Sequence, residues 1–172
     1  TMQNYHRDVF TKKLYWYLIA TIFMVEFTVK VSPGYLGVYL QKDYNLSHVQ
    51  TGLYSALFYI TYALCQFPAG YLIQYYGIKK NFIALLMIFI SGLVLSSCAQ
   101  SFTFLALARV LMGIGSAITF TTLLTLALQW FDEKHYPFYV GLTNLFGMLG
   151  AIGLSIVLSL LKNTYQWQAI FL

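Results

Sequence analysis

Three charged residues, Glu26, Lys30 and Arg109, lie inside long apolar stretches of the sequence. A lysine or arginine in hydrocarbon costs at least about 2.5 kcal/mol on insertion scales, so intramembrane charges normally face a partner or a water-filled cavity. Lys30 follows Glu26 by four residues, which places both on one face of a helix. A rise of about 1.5 Å per residue puts Glu26 and Arg109 at similar depth, so these two side chains can pair if their helices are adjacent.

Two hypotheses follow for these three residues. In the first, Glu26 forms a structural ion pair with Lys30 or Arg109, and Lys30 extends its ammonium towards the membrane interface. In the second, the three residues form a site for a proton or for a charge on a substrate, because intramembrane ionisable groups usually mark transport paths. A partly desolvated carboxylate beside a cation can change its protonation with conformation, as proton coupling requires. The sequence leaves both hypotheses open.

The composition requires lipid around most of the surface. Of 172 residues, 59% are hydrophobic and 9% are charged, whereas a soluble domain carries about a quarter charged residues. The net charge of +5 does not indicate nucleic-acid binding, because the lysines and arginines lie mainly between apolar runs. Cys65 and Cys98 are interpreted as small buried side chains. We expect no metal site, no cofactor and no catalytic cluster, and therefore no enzyme.

Five apolar segments are long enough to cross a bilayer, whose core of about 30 Å requires roughly 20 helical residues. The sequence therefore predicts an all-α membrane protein with five transmembrane helices and the start of a sixth. Residues 1–13 are expected to form a cytoplasmic leader, and 14–172 a transmembrane bundle. Ser47 and Gln50 predict a capping box before the second span. The predicted spans are about 14–37, 50–73, 82–98, 102–128 and 138–161, with the sixth starting at 167.

The distribution of lysine and arginine predicts the orientation, because short cytoplasmic loops carry an excess of these residues. Links on one side of the predicted membrane hold six of them, and links on the other side hold two. We therefore expect a cytoplasmic amino terminus. The six are Arg7, Lys12, Lys13, Lys79, Lys80 and Lys134, and the two are Lys42 and Lys162.

The link between the second and third predicted spans, residues 70–80, has the most specific pattern in the sequence. Gly70 permits close approach of a neighbouring helix. Gly77 permits a tight turn, for which a positive φ is expected. Lys79 and Lys80 follow on the cytoplasmic side.

This link resembles the signature loop of the major facilitator superfamily, whose pattern is roughly G-x-L-x-D-x-x-G-x-R/K-R/K. In that family the loop is thought to latch the cytoplasmic side of the two halves through charge pairing. Gln74 stands where the family usually has aspartate, and it can hydrogen-bond but cannot form an ion pair. The resemblance therefore implies a weaker latch here. The matching positions are Gly70, Leu72, Gly77, Lys79 and Lys80.

A second segment, Arg109 to Gly115, is similar to the family's fourth-helix pattern R-x-x-x-G-x-G, whose arginine is associated with proton coupling in several members. Gly113 and Gly115 allow a neighbouring helix to approach closely. The segment from Trp167 to Leu172 resembles the usual start of the family's sixth helix. These motifs occur in the family's order and spacing, so the resemblance covers essentially the whole chain.

Two further patterns concern the branch of the family. Residues 58–70 resemble the second helix of uptake members, such as anion–cation symporters and bacterial phagosomal nutrient transporters. The fifth span lacks the Gly-Pro pair typical of drug–proton antiporters, since no proline follows Pro137. Its glycines are expected to pack against other helices, namely Gly147, Gly150 and Gly153.

The resemblance implies a twelve-helix transporter of two halves, with substrate bound near the midplane and alternating access by rocking. We expect this chain to be the amino-terminal six-helix half without most of its last helix, so that the carboxy-terminal half is a missing partner. The other expected partners are the lipid bilayer, a small-molecule substrate and a proton, with no nucleic acid.

The expected function is proton-coupled secondary active transport of a small polar metabolite across the bacterial inner membrane. An alternative within the same class is a multidrug or antibiotic exporter. An alternative of another class is a non-transporting integral membrane subunit.

The topology can be tested with single cysteines introduced by Lys42→Cys and Lys80→Cys into the full-length protein lacking its native cysteines. We expect a membrane-impermeant thiol reagent to label them from opposite sides, because the link 38–49 is predicted outside and the link 74–81 inside. Labelling of both from the same side would contradict this topology.

Overall fold

Backbone hydrogen bonds dictate the architecture, because a segment in lipid must satisfy its own N–H and C=O groups. The computed structural model describes residues 2–161, and its regular elements there are all helical. One turn of 3-10 helix, Glu133–His135, precedes the last α-helix. The α-helices of the described residues are Met2–Val31 (α1), Pro33–Tyr44 (α2), His48–Tyr76 (α3), Ile78–Ser97 (α4), Phe102–Trp130 (α5) and Tyr136–Leu161 (α6).

Five segments of the described residues are long and apolar enough to cross a membrane. The all-α membrane fold predicted from the sequence is therefore confirmed. The predicted start of a sixth helix at 167 lies outside the described residues. The five segments are Val9–Val31, His48–Tyr76, Ile78–Ser97, Phe102–Trp130 and Glu133–Val157.

The helix ends differ from the predicted spans. Helix α1 begins at Met2, so most of residues 1–13 is helical, and only Gly77 separates α3 from α4. Hydropathy locates the apolar part of a helix, whereas the helix itself continues through polar residues beyond the hydrocarbon. The first predicted span, 14–37, is divided at Ser32 into α1 and α2.

Pro33 explains the division between α1 and α2. Proline lacks the N–H group that would donate to the carbonyl four residues earlier, which is that of Val29. This carbonyl instead accepts from the backbone N–H of Ser32 at 3.3 Å and from its hydroxyl at 2.8 Å. The chain therefore turns at Ser32 and resumes as α2 with Pro33 in its first turn.

The start of α3 has the predicted capping box, which is confirmed. The hydroxyl of Ser47 accepts from the backbone N–H of Gln50 at 3.2 Å, and the Gln50 side chain accepts from the backbone N–H of Ser47 at 2.9 Å. Two N–H groups at this helix end are thereby satisfied without water.

Helix α5 lies at the centre of the bundle and packs against α4, α3, α1 and α6. Small residues bring its neighbours close. A Cβ added at Gly115 would lie 2.5 Å from the backbone nitrogen of Phe89 in α4, and one added at Gly113 would lie 2.7 Å from the carbonyl oxygen of Phe58 in α3. Glycine is therefore required for the observed helix separations at both positions.

Helix α6 approaches α1 in a similar way. A Cβ added at Gly147 would lie 3.0 Å from the ring of Phe27, and one added at Gly150 would meet Met24. The close contacts expected at Gly70 and Gly153 are not found. A Cβ at either position would meet no atom of the described residues within 4 Å, because no helix of residues 2–161 packs against either glycine.

The turn between α3 and α4 depends on Gly77, whose φ of 82° and ψ of 160° confirm the predicted positive φ. This backbone region is essentially restricted to glycine. The Asn81 side chain then fastens the turn, since its Nδ2 donates to the carbonyls of Leu72 at 2.7 Å and Gly77 at 2.8 Å. Asn81 was not identified from the sequence.

We expect Gly77→Ala to lower the free energy of unfolding by about 1–3 kcal/mol, because a Cβ is strained at this φ and ψ. Thermal unfolding of the full-length protein in detergent measures the effect. Gly52→Ala is the matched control, since Gly52 lies inside α3 with open space around it. An equal unfolding midpoint for the two variants would contradict the requirement for glycine at position 77.

Candidate functional site

Helices α1 and α3 both pack on α5 but barely on each other, which leaves a cleft with α5 as its floor. We call this feature the central cleft. Between α3 and α5 an open groove of about 410 Å³ includes the polar side chains of Gln66, Thr121 and Thr125. The Tyr62 side chain interacts with that of Gln66 and so connects the groove to the inner part of the cleft. The inner part is lined by Phe23, Glu26, Phe27, Lys30, Phe58, Tyr62 and Ser116.

Glu26 is almost fully buried on the side of α1 that faces α5, with 2% of its surface exposed. Its Oε1 accepts a hydrogen bond from the hydroxyl of Thr119 at 2.8 Å. Its Oε2 has no hydrogen-bond partner in the described part of the chain. The carboxyl group is thus held by one neutral donor.

Lys30 is half-buried one turn further along α1 and is surrounded by aromatic rings. Its Nζ lies 4.7 Å from the ring centroid of Tyr62, 5.2 Å from that of Tyr59 and 5.3 Å from that of Phe27. Each distance is within the range of a cation–π interaction. The ammonium is therefore positioned by α3 as well as by its own helix.

Arg109 of α5 is fully buried, and its guanidinium binds the chain at the break between α1 and α2. Its Nη1 donates to the carbonyl of Val29 at 2.8 Å, and its Nη2 donates to the hydroxyl of Ser32 at 3.0 Å. Its guanidinium lies 4.4 Å from the ring centroid of Tyr54 in α3. Arg109 thus supplies a donor to the carbonyl that Pro33 deprives of its helical partner.

The ion pair between Glu26 and Arg109, which the sequence left open, is not formed. Helix α1 runs antiparallel to α5, with Glu26 bonded to Thr119, which lies ten residues or about 15 Å beyond Arg109 on α5. Similar depth does not decide which groups meet, because a hydrogen bond also depends on the register that packing sets between the two helices. Among the described residues, Lys30 forms no ion pair with Glu26 either.

The remaining sequence-predicted residues lie elsewhere. Gln74, Lys79 and Lys80 are exposed around the α3–α4 turn, whereas the cleft residues Tyr59 and Tyr62 lie in the middle of α3. The structure therefore separates the loop motif from the intramembrane charges. Sequence analysis did not identify Tyr62 or Thr119 as site residues. The available signal was a polar stripe of three-residue spacing on α5, formed by Ser116, Thr119 and Thr122.

The sequence model of the Major Facilitator Superfamily matches residues 18–172. The chain belongs to this superfamily. The resemblance stated from its motifs is therefore confirmed, and the chain is part of a multi-pass membrane protein of a transporter family.

Proteins named as transporters are similar to the chain at low identity. The chain is 24% identical to a quinolone resistance transporter of Acinetobacter baumannii, over 89% of this chain and 37% of the relative. It is 24% identical to a probable sulfoacetate transporter of Cupriavidus necator, over 90% of this chain and 36% of the relative. It is 27% identical to a hexuronate transporter of Bacillus subtilis, over 77% and 32%. The chain spans about a third of the length of these relatives.

We expect Arg109→Ala to lower the free energy of unfolding by about 2–4 kcal/mol, because it removes a donor from a buried carbonyl and a cation from the Tyr54 ring. Arg109→Lys should recover part of this loss, since an ammonium can reach one of the two acceptors. Thermal unfolding of the full-length protein measures both.

Lys42→Ala serves as the control for the arginine variants, because Lys42 is an exposed cation in the last turn of α2. If Arg109→Ala unfolds at the temperature of this control, Arg109 does not stabilise the helix break.

Proposed function

We propose that this chain is part of a secondary transporter that moves a small polar metabolite across the bacterial inner membrane by alternating access, driven by protons. In this proposal Glu26 carries the coupled proton. The observation that supports it best is the burial of the Glu26 carboxyl group with a hydroxyl donor and without a cation. The family supports transport, and the polar side chains of Gln66, Thr121 and Thr125 in the otherwise apolar groove support a polar cargo.

The energetics of burial connect Glu26 to proton movement. An ionised carboxylate that is buried without a cation is costly, whereas a neutral carboxyl group with a hydrogen bond is far less so. A conformational change that admits water to the cleft would hydrate the ionised form. Alternation between these two environments therefore provides a cycle of proton uptake and release.

The rest of the transporter would complete the site. Substrate would bind between this bundle and a second six-helix half, and the two would rock about it. The exposed residues Gln74, Lys79 and Lys80 would form the cytoplasmic gate together with Gly77, and the amino terminus would lie in the cytoplasm. Lipid would cover the outward apolar side chains, such as Met87 and Ile90 of α4, which are exposed.

Export is the second candidate function. It is favoured by the similarity to a protein named as a quinolone resistance transporter. The similarities to a probable sulfoacetate transporter and a hexuronate transporter favour a small polar cargo instead. The polar side chains of the groove, Gln66, Thr121 and Thr125, agree with the latter.

We expect Glu26→Gln to abolish accumulation driven by a pH gradient but to preserve exchange without a gradient, because glutamine keeps the shape and loses the titratable proton. Proteoliposomes containing the full-length transporter would be assayed with labelled hexuronate, sulfoacetate and a quinolone. Glu133→Gln is the matched control, since Glu133 is an exposed acid in the 3-10 turn that precedes α6. Gradient-driven accumulation that survives Glu26→Gln would refute the role of Glu26, and quinolone movement alone would favour export.

A further inference from the structure

The two intramembrane cations of this chain have opposite surroundings. The donors of Arg109 reach a backbone carbonyl and a hydroxyl of the protein itself. An ammonium offers three N–H donors, yet those of Lys30 have no acceptor among the described residues. The Nζ lies 4.7, 5.2 and 5.3 Å from the centroids of three aromatic rings. Arg109 is thus satisfied by the fold to a large extent, and Lys30 is not.

The chain itself provides almost no carboxylate to neutralise Lys30. It has five acidic residues, and only Glu26 lies in the middle of a membrane-spanning helix. Glu26 is bonded to Thr119 rather than to Lys30. The five are Asp8, Glu26, Asp43, Asp132 and Glu133.

The aromatic rings hold the half-buried ammonium of Lys30 between two helices. Phe27 belongs to α1, whereas Tyr59 and Tyr62 belong to α3, so the rings fix Lys30 between the two helices that border the central cleft. The rings attract the positive charge of the ammonium, but they have no lone pair that could accept a hydrogen bond from its N–H groups. A hydrogen-bonding anion would supply what the rings do not.

We propose that Lys30 binds the anionic group of the transported solute, a carboxylate, sulfonate or phosphate, in the central cleft between α1 and α3. This inference rests on the proposed function, because it takes the solute to be the cargo of the transporter. A protonated Glu26 carries no charge that would repel an anion about one helical turn away, so proton and anion can occupy the cleft together.

The first test measures the charge preference of the cleft without knowledge of the cargo. In the full-length transporter, Cys65 and Cys98 are replaced by alanine, and Ala63→Cys introduces a thiol. Ala63 is exposed, lines the groove and lies one turn from Tyr59 on α3. Its reaction rates with an anionic sulfonatoethyl and a cationic trimethylammonioethyl methanethiosulfonate are compared. Val49→Cys, at an exposed position near the start of α3, gives the reference ratio.

We expect the anion-to-cation rate ratio at Ala63→Cys to exceed the reference. Lys30→Gln should reduce this ratio by at least about tenfold, and Lys30→Arg should preserve it. An anion-to-cation rate ratio at or below the reference would overturn the proposal. It would show that another group neutralises Lys30, for example an acidic residue in the other half of the transporter. An unchanged ratio in Lys30→Gln would overturn it as well.

An anionic lipid headgroup offers the same chemistry as an anionic solute. The assay is therefore run in nanodiscs of phosphatidylcholine alone and of phosphatidylcholine with phosphatidylglycerol. We expect equal ratios in the two bilayers. A ratio that falls when phosphatidylglycerol is present would mean that a lipid occupies Lys30, and the solute proposal would be wrong.

Transport measurements on two variants distinguish a failure of this inference from a failure of the proposed function. In the proteoliposome assay, Lys30→Gln should raise the KM for an anionic solute at least about tenfold, and Lys30→Arg should restore most of the affinity. If accumulation is intact in Lys30→Gln, the anion site is refuted while the proton role of Glu26 stands. If Glu26→Gln still accumulates the solute and Lys30→Gln does not, the coupling proposal fails while the anion site stands.

Discussion

Hydrocarbon offers no hydrogen-bond partner to a backbone carbonyl, and this constraint explains the arrangement of the first half of the bundle. Pro33 frees the carbonyl of Val29 at the point where α1 ends. Ser32 satisfies it locally, and Arg109 reaches it from α5. Because the same guanidinium also lies over Tyr54 of α3, one side chain joins three helices at the break. The division of the first span is thus stabilised by tertiary contacts.

Helix α5 combines close packing with polar chemistry. Gly113 and Gly115 let α3 and α4 approach its backbone, so the helix is buried from several sides. Apart from Arg109, the buried polar residues of this helix all carry hydroxyl groups. Ser116 satisfies its hydroxyl within the helix by donating to the carbonyl of Met112. Thr119 donates to the carboxyl group of Glu26 instead, which makes the central helix the support of the candidate proton site.

The three intramembrane charges end in different environments because their side chains differ in geometry. The planar fork of Arg109 reaches two acceptors at once and suits a structural role. The ammonium of Lys30 is a compact point charge on a flexible stem, and it lies among aromatic rings of α1 and α3. Glu26 is an acceptor with a single hydroxyl donor. Arg109 therefore supports the helix break without the ion pair considered from the sequence, whereas Glu26 and Lys30 are the residues at which we propose a proton site and an anion site.

The sequence by itself determined the features that depend on local physics. Hydropathy identified the membrane-spanning segments, backbone sterics required a glycine with positive φ at Gly77, and the motifs identified the family. The partners of the charges were decided only by the tertiary structure. Hydropathy gives the depth of a residue to within a few turns, whereas a hydrogen bond requires the register between α1 and α5 to within one residue. That register depends on the break at Pro33 and on side-chain packing, which is why Glu26 meets Thr119 and Arg109 meets Val29.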